Sequence, residues 1–597
     1  MFVSRAVLAL VGALVIASGA HAQTAAPPGT AFGHYEPAVQ FDGGLTTSFY
    51  LPMRDGVRLA VSVTRPASGG KAVEGRFPVI WQHTLGIAGA GTAGGPLGND
   101  PRRRGYGGVS SLVRHGYVVV QVARRGNGPS FGRRRGYNDR SEAYDSYEVI
   151  DWLAKQTWST GKVGVYGCSN TGDAAMHAYT AGNPNLKAVF AGYFSWEKYD
   201  GFLRGGIFAN WGTGPERTIA QDMNNTPVQG DESKALLRQA AEEHQGAPPL
   251  AAMWQAMPYR DSLGEGPQSR FWYEGSVAAY LPQIKRSDAA VYVQGGWADD
   301  LRGQGLVAFA NLPGRKHIVI GPWGHCGNDD FDLLSEIHRF FDQELKDVDT
   351  GINNDPPIHY FAQNAAPGTE WRTATSWAAL GSKATSVFLT SGRDGAAGSL
   401  ALRAPRTGAT TFTVNYAVDC PSRPPRPDGL LTGAPPCPVA AAGPHYATGV
   451  LKADTEVTGD PIADLWVSTS TPDANIFVYL EDVSPDGKVT PVTDARLKAS
   501  LGKLGAPPYE NYGLPWHRSH REDAQPMTAG VPVRMTFAFL PTSYVFKAGH
   551  RLQISVAGAD YRERDRSPKT PAPEVTLHTG ADMASSISLP IIGQSGF

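Results

Sequence analysis

Through the first half of the chain, short unbroken apolar runs alternate with stretches of helical period. Pro78-Val-Ile-Trp-Gln82 and Tyr117-Val-Val-Val-Gln-Val122 carry apolar residues with almost no alternation, the pattern of strands buried on both faces. Val163-Gly-Val-Tyr-Gly167, Ala289 to Gln294 and Lys316 to Gly321 repeat it. Between them, residues 141–156 set Tyr144, Tyr147, Ile150 and Leu153 at helical spacing, which predicts an amphipathic helix with those residues inward. Asp173 to Ala181 predicts another. Strands alternating with helices imply a parallel sheet, so residues 46–350 form one α/β domain. Residues 23–45, rich in Ala, Pro and Gly, read as a loose leader.

Residues 196–285 break the rhythm. They are helical in character at Glu232 to Glu243 and Leu250 to Met257. They also collect aromatics: Trp196, Phe202, Phe208, Trp211, Trp254, Phe271 and Trp272. The segment predicts a helical cap inserted over the sheet, with most of those rings packing the cap's own core. From about 355 the pattern is β only: Ala463 to Ser470, Asn475 to Val483, Val533 to Phe539 and Leu552 to Val556 alternate apolar and polar residues. Ser484-Pro-Asp-Gly487 supplies a turn. Residues 355–597 therefore read as a β-sandwich of the jelly-roll type.

A chain of 597 residues carrying 70 Gly and 45 Pro suits two or three turn-rich domains. A formal net charge of −1 argues against nucleic acid as partner. Arg5, the apolar run Ala6 to Ala17 and the small-x-small site Ala20-His21-Ala22 read as a signal peptide over 1–22, with mature protein starting near Gln23. The alternative, an uncleaved anchor, needs a longer apolar run; no other stretch would span a bilayer. The expected location is the periplasm or the exterior. Four cysteines, Cys168, Cys326, Cys420 and Cys437, in an exported chain favour disulfides. Cys420 and Cys437 flank a Pro-rich loop and pair readily, which leaves Cys168 with Cys326. The alternative is two buried free thiols.

Gly167-Cys168-Ser169-Asn170-Thr171-Gly172 stands between a strand and a helix. That is the context of a nucleophile elbow, a strained turn that exposes a serine Oγ; the competing role for Ser169 is a helix N-cap. Asp299, in Gly295-Gly-Trp-Ala-Asp299, lies past a strand where a carboxylate can accept from a histidine Nδ1–H. Asp300 competes for that role, or caps a helix. His325, after Ile320-Gly-Pro-Trp-Gly324, supplies the base. Ser, Asp, His is the chain order of α/β-hydrolases. A cysteine adjoins both Ser169 and His325, so an assembled triad brings Cys168 and Cys326 together.

The chain resembles the cocaine esterase / X-Pro dipeptidyl-peptidase family of serine hydrolases. The matching segments are Trp152-Leu-Ala-Lys-Gln-Thr-Trp158, Gly161-Lys-Val-Gly164, Gly167-Cys-Ser169, Gly295 to Asp299 and Ile320 to His325. The resemblance implies an α/β-hydrolase core, a helical cap and a C-terminal jelly roll, with Ser169, Asp299 and His325 as the triad and no cofactor. It also implies an oxyanion hole in which the N–H of Asn170, here in place of the family's usual Tyr, is one donor. The family's second donor is a Tyr hydroxyl at the position of Gly86. A backbone N–H near Leu85 or Gly86, or the side chain of His83 or Thr84, must substitute. Cys168-Ser169 with His325-Cys326 is also similar to the disulfide-linked arrangement of tannases and feruloyl esterases. In related α-amino-acid ester hydrolases, acids soon after the triad Asp bind a substrate ammonium. Leu301 and Arg302 stand there, which disfavours free-amine acyl groups and sets Arg302 toward an acyl carboxylate, or in a surface salt bridge. The reading is an exported serine hydrolase that cleaves small-molecule carboxylic esters through an acyl-enzyme on Ser169. The alternatives are an amidase, acylase or X-Pro-type peptidase of the same family, and a non-catalytic carbohydrate-binding protein. No oligomeric state is assigned.

Overall fold

The computed structural model describes residues 24–25, 29–89, 91–93, 104–136, 138–208, 218–247, 250–264, 269–392, 397–418, 420, 442–563 and 569–597. The expected signal segment 1–22, Trp211 and Cys437 lie outside them. No helix among the described residues is long and apolar enough to cross a membrane.

The first region is a mixed sheet with helices on both faces. Its elements are β1 (Gly43–Pro52), β2 (Arg58–Ser68), β3 (Phe77–Thr84), β4 (Val118–Ala123), α1 (Arg140–Ala154), β5 (Ser159–Cys168), α2 (Asn170–Thr180), β6 (Leu186–Gly192), β7 (Ala290–Gly296), α3 (Arg302–Asn311), β8 (Lys316–Gly321), α4 (Leu333–Lys346), β9 (Ile358–Phe361) and β10 (Trp371–Ala374). The strand order is β1-β2-β4-β3-β5-β6-β7-β8-β9-β10. From β4 to β9 neighbours run parallel, while β1, β2 and β10 are antiparallel additions. Alternate residues serve opposite faces. Val79 and Trp81 join α1, α2 and α3 in one core, and Ile80 and Val119 join α4 in the other. Both faces are apolar because both are covered. The sheet runs on through β9 and β10, past the boundary expected at 350–355.

Two expectations are corrected. In α1, Tyr144 and Tyr147 are 49% and 40% exposed, with Arg54 and Arg140 over the Tyr144 ring. The buried face instead carries Glu142, Asp145, Val149, Ile150 and Leu153, because Arg124 and Arg125 neutralise the two acids. The leader is also not loose where described. Tyr35 is buried and donates to Asp342 at 2.6 Å, and Phe32 stacks on His359.

Residues 196–285 hold short helices, including Lys198–Phe202, Ala235–His244 and Leu250–Gln255. Trp254, Phe271 and Trp272 pack with Tyr199, Leu203 and Met257 into a core of their own, as expected, whereas Trp196 joins the sheet's core. From Lys383 the described residues form β-strands with a few single 3₁₀ turns. The strands include Ile462–Thr469, Asn475–Val483, Val489–Lys498, Val533–Ala538 and Arg551–Ala557, around one apolar core.

Candidate active site

Parallel sheets place ligands outside the carboxyl ends of their strands, and three strand ends meet here. Strand β5 runs into Ser169, which takes φ 61° and ψ −130°, a region that non-glycine residues occupy only where the surroundings enforce it. A Cβ at Gly167 would lie 2.1 Å from the Thr171 carbonyl oxygen, and one at Gly172 2.2 Å from that of Gly192. Both positions therefore need glycine. The Thr171 hydroxyl accepts the Cys168 N–H at 2.9 Å and donates to the Cys168 carbonyl at 2.8 Å, closing the turn. Asn170 opens α2, so its N–H has no intrahelical acceptor.

His325 follows β8 and Asp299 follows β7. His325 Nε2 is 2.8 Å from Ser169 Oγ, and its Nδ1 is 2.6 Å from Asp299 Oδ2. A carboxylate on Nδ1 puts the ring proton there and leaves Nε2 to accept from the serine. Asp299 is buried, and its Oδ1 accepts the Leu301 N–H at 2.7 Å. The chain Ser–His–Asp is unbroken. It can take a proton from Oγ as the oxygen attacks and return it to a leaving group.

Burial works against a charged His325, but the hydrogen bond and charge of Asp299, backed by Asp173, outweigh it and raise the imidazole above its usual value near 6.5. Any contribution of this ion pair to stability is full below that usual value and lost as pH rises through the raised one. Activity runs oppositely, since the base must be neutral. The acid limb of kcat/KM should therefore titrate above 6.5, as a pH–rate profile would show; a limb below that value contradicts the pairing.

Cys168 and Cys326 are disulfide-bonded, with Cα atoms 5.9 Å apart, inside the ~4.4–6.8 Å range of such bonds. The bond joins the residue before Ser169 to the residue after His325. Cys420 is also disulfide-bonded; Cys437, its expected partner, is outside the described residues.

Around the elbow the structure narrows the oxyanion candidates. His83 Nδ1 is 3.4 Å from Ser146 Oγ in α1. The Thr84 hydroxyl is directed at the carbonyls of Gly86 and Val122. The Thr84 hydroxyl is therefore committed, while His83 Nε2 is buried with no hydrogen-bond partner. The backbone N–H groups of Leu85 and Gly86 remain as candidates beside that of Asn170, and the Gly86 position borders Asn225.

Arg302 does not face the crevice. It is buried, donating to the carbonyls of Asp299 and Pro541 and to Thr493 Oγ1, each at 2.8 Å. The expected acyl-carboxylate contact is therefore corrected, and the surface salt bridge with it. Asp300 likewise turns from His325 toward Arg562. Sequence reasoning missed the support beneath the elbow. Arg124 donates to the Asn170 carbonyl at 3.0 Å and to Asn138 Oδ1 at 3.1 Å. Asp173 accepts the Ser195 N–H at 2.6 Å and Asn138 Nδ2 at 3.1 Å. The only sequence signal was an arginine at a strand's end.

A family profile described as X-Pro dipeptidyl-peptidase (S15 family) matches residues 55–327. A second, the X-Pro dipeptidyl-peptidase C-terminal non-catalytic domain, matches 350–587. A Mycobacterium bovis protein carrying a serine-esterase name is 29% identical, over 93% of this chain and 96% of its own length. The cocaine esterase of a Rhodococcus species is 24% identical over 92% and 98% respectively. The crystal structure of a CocE/NonD family hydrolase from Staphylococcus aureus superposes with a TM-score of 0.68 at 20% identity, covering 92% of this chain and 94% of that one. It shares the arrangement of an α/β sheet region followed by an all-β region.

Proposed function

Because the chain belongs to the X-Pro dipeptidyl-peptidase (S15) family of serine hydrolases, we propose that it cleaves carboxylic esters through an acyl-enzyme on Ser169. Oγ attacks the ester carbonyl as His325 Nε2 takes its proton. The tetrahedral oxyanion rests on the Asn170 N–H and a second donor at Leu85 or Gly86. Collapse expels the alcohol, protonated by His325, and water then releases the acid by the same path. The observation that carries the reading is the continuous hydrogen-bonded chain from Ser169 through His325 to Asp299.

Ester rather than peptide cleavage is favoured by the state of the neighbouring carboxylates. Asp300 is paired with Arg562, Asp173 holds Ser195 and Asn138, and Glu197 pairs with Arg260. Asp300 and Glu197 are thus already paired with a guanidinium, and both Asp173 oxygens already accept a hydrogen bond. The expected result is a kcat/KM for 4-nitrophenyl acetate at least ~100-fold above that for glycyl-prolyl-4-nitroanilide. Equal or faster anilide cleavage would assign the peptidase activity instead. Export belongs to the same reading. The signal-like residues 1–22 support it, as does a disulfide beside the triad, which suits an oxidising compartment. We also read the C-terminal β region as a jelly roll, on its alternating strands and short turns.

A further inference from the structure

Asp299, Asp300 and Leu301 lie in the link from β7 into α3, and Arg302 opens the helix. Asp299 Oδ1 is held by the Leu301 N–H, so the aim of the carboxylate at His325 depends on the path of this link. The side chains of Asp300 and Arg302 reach into the all-β region. Arg302 ties the Asp299 carbonyl to Thr493 and Pro541, and Thr493 Oγ1 donates in turn to the Leu540 carbonyl at 2.7 Å. Asp300 lies 3.3 Å from Arg562 Nη1, 3.5 Å from Arg496 Nη2 and 4.0 Å from Arg204 Nη2.

Arg562 is itself clamped. Its Nε and Nη2 meet the two oxygens of Asp560 at 3.0 and 2.9 Å, and its Nη1 also reaches Asp494 at 3.2 Å. The Tyr479 hydroxyl donates to Asp560 at 2.6 Å. Arg204, from the cap segment, joins Asp494. Arg302, Arg496, Arg562, Asp494 and Asp560 are all buried. A guanidinium fork gripped on two sides has a fixed direction.

We propose that Arg562 is a positioning residue for the reaction: through Asp300 it fixes the link that aims Asp299 at His325, so the all-β region sets the geometry of the triad. The inference rests on the triad reading above. Arg562 touches no reacting atom; its effect passes through two neighbouring residues. Sub-ångström placement matters at this point, since a misplacement of ~1 Å in a catalytic constellation costs ~100-fold in rate.

The test compares full-length wild type with Arg562→Met and Arg562→Lys on a 4-nitrophenyl ester, each measured well below its own melting temperature. The expected result for Arg562→Met is a folded protein with kcat lowered ~10–100-fold and KM within about twofold. Arg562→Lys, which keeps the cation but loses the fork, should return kcat to within about fivefold of wild type. An Arg562→Met enzyme with wild-type kcat overturns the proposal, however much its melting temperature falls. If that variant does not fold, Asp300→Asn is read in its place: a loss of about fivefold or more in kcat at constant KM supports the proposal, and an unchanged kcat overturns it. Labelling by a fluorophosphonate separates this inference from its premise. Wild type unlabelled at Ser169 removes the triad reading and the inference together. Wild type labelled, with Arg562→Met labelled just as fast, removes the inference alone.

Discussion

Ser169→Ala should lower kcat by ~10⁴–10⁶-fold and leave the fold intact. The substitution removes one oxygen, and that oxygen's bond is to His325 Nε2. The turn is unaffected, because it is closed by Thr171 and by two glycines rather than by the serine hydroxyl. Without Oγ the imidazole has no nucleophile to activate, and the rest of the triad serves nothing. Triad members act as a unit, so His325→Ala should be nearly as severe. Asp299→Asn should be somewhat milder, since the ring keeps a hydrogen-bond partner but in the wrong tautomer. Steady-state kinetics beside a thermal melt checks all three. Wild-type turnover in folded Ser169→Ala ends the serine-hydrolase reading of this site.

Breaking the Cys168–Cys326 bond is the second large effect. The bond closes a separation of 158 residues, for which chain-entropy models assign about 5 kcal/mol of stability. The catalytic consequence is more specific. Cys168 precedes the nucleophile and Cys326 follows the base, so the bond fixes the loop carrying His325 against the elbow. Released, that loop keeps its non-covalent ties, among them the Asp299 contact and the Gln294 amide on the Gly327 carbonyl, but loses its covalent one. Mild reduction is expected to lower kcat ~10–100-fold before the fold melts, with reoxidation restoring it. Peptide mapping under non-reducing conditions locates the bond, and activity followed during reductant titration reads its effect. Full activity with both thiols alkylated contradicts the role.

The legible parts of this molecule were those with local signals. Ser169, Asp299 and His325 each end a short apolar run, and a strand end is visible in sequence. Gly167 and Gly172 sit where their missing Cβ atoms matter. The misread parts depend on partners far along the chain. Helix α1 buries Glu142 and Asp145 rather than Tyr144 and Tyr147, since Arg124 and Arg125, just past the end of β4, pair with those acids. Hydrophobic period treats such acids as exposed. Tyr35 and Phe32 looked like leader because their anchors, Asp342 and His359, lie some 300 residues on. Arg302 looked like a substrate contact because Thr493 and Pro541 belong to the other region. Periodicity reports which face of an element is apolar; it does not report which charges meet after folding.

The central claim is that Ser169 is the nucleophile of a hydrolase whose base is His325. Its most direct test is to treat the active protein with a fluorophosphonate and map the adduct by peptide mass spectrometry. The account predicts one modified residue, Ser169, with activity lost in proportion to its occupancy and no labelling once that serine is alanine. An enzyme inactivated by modification at another residue, or one that keeps its activity with Ser169 fully modified, contradicts it.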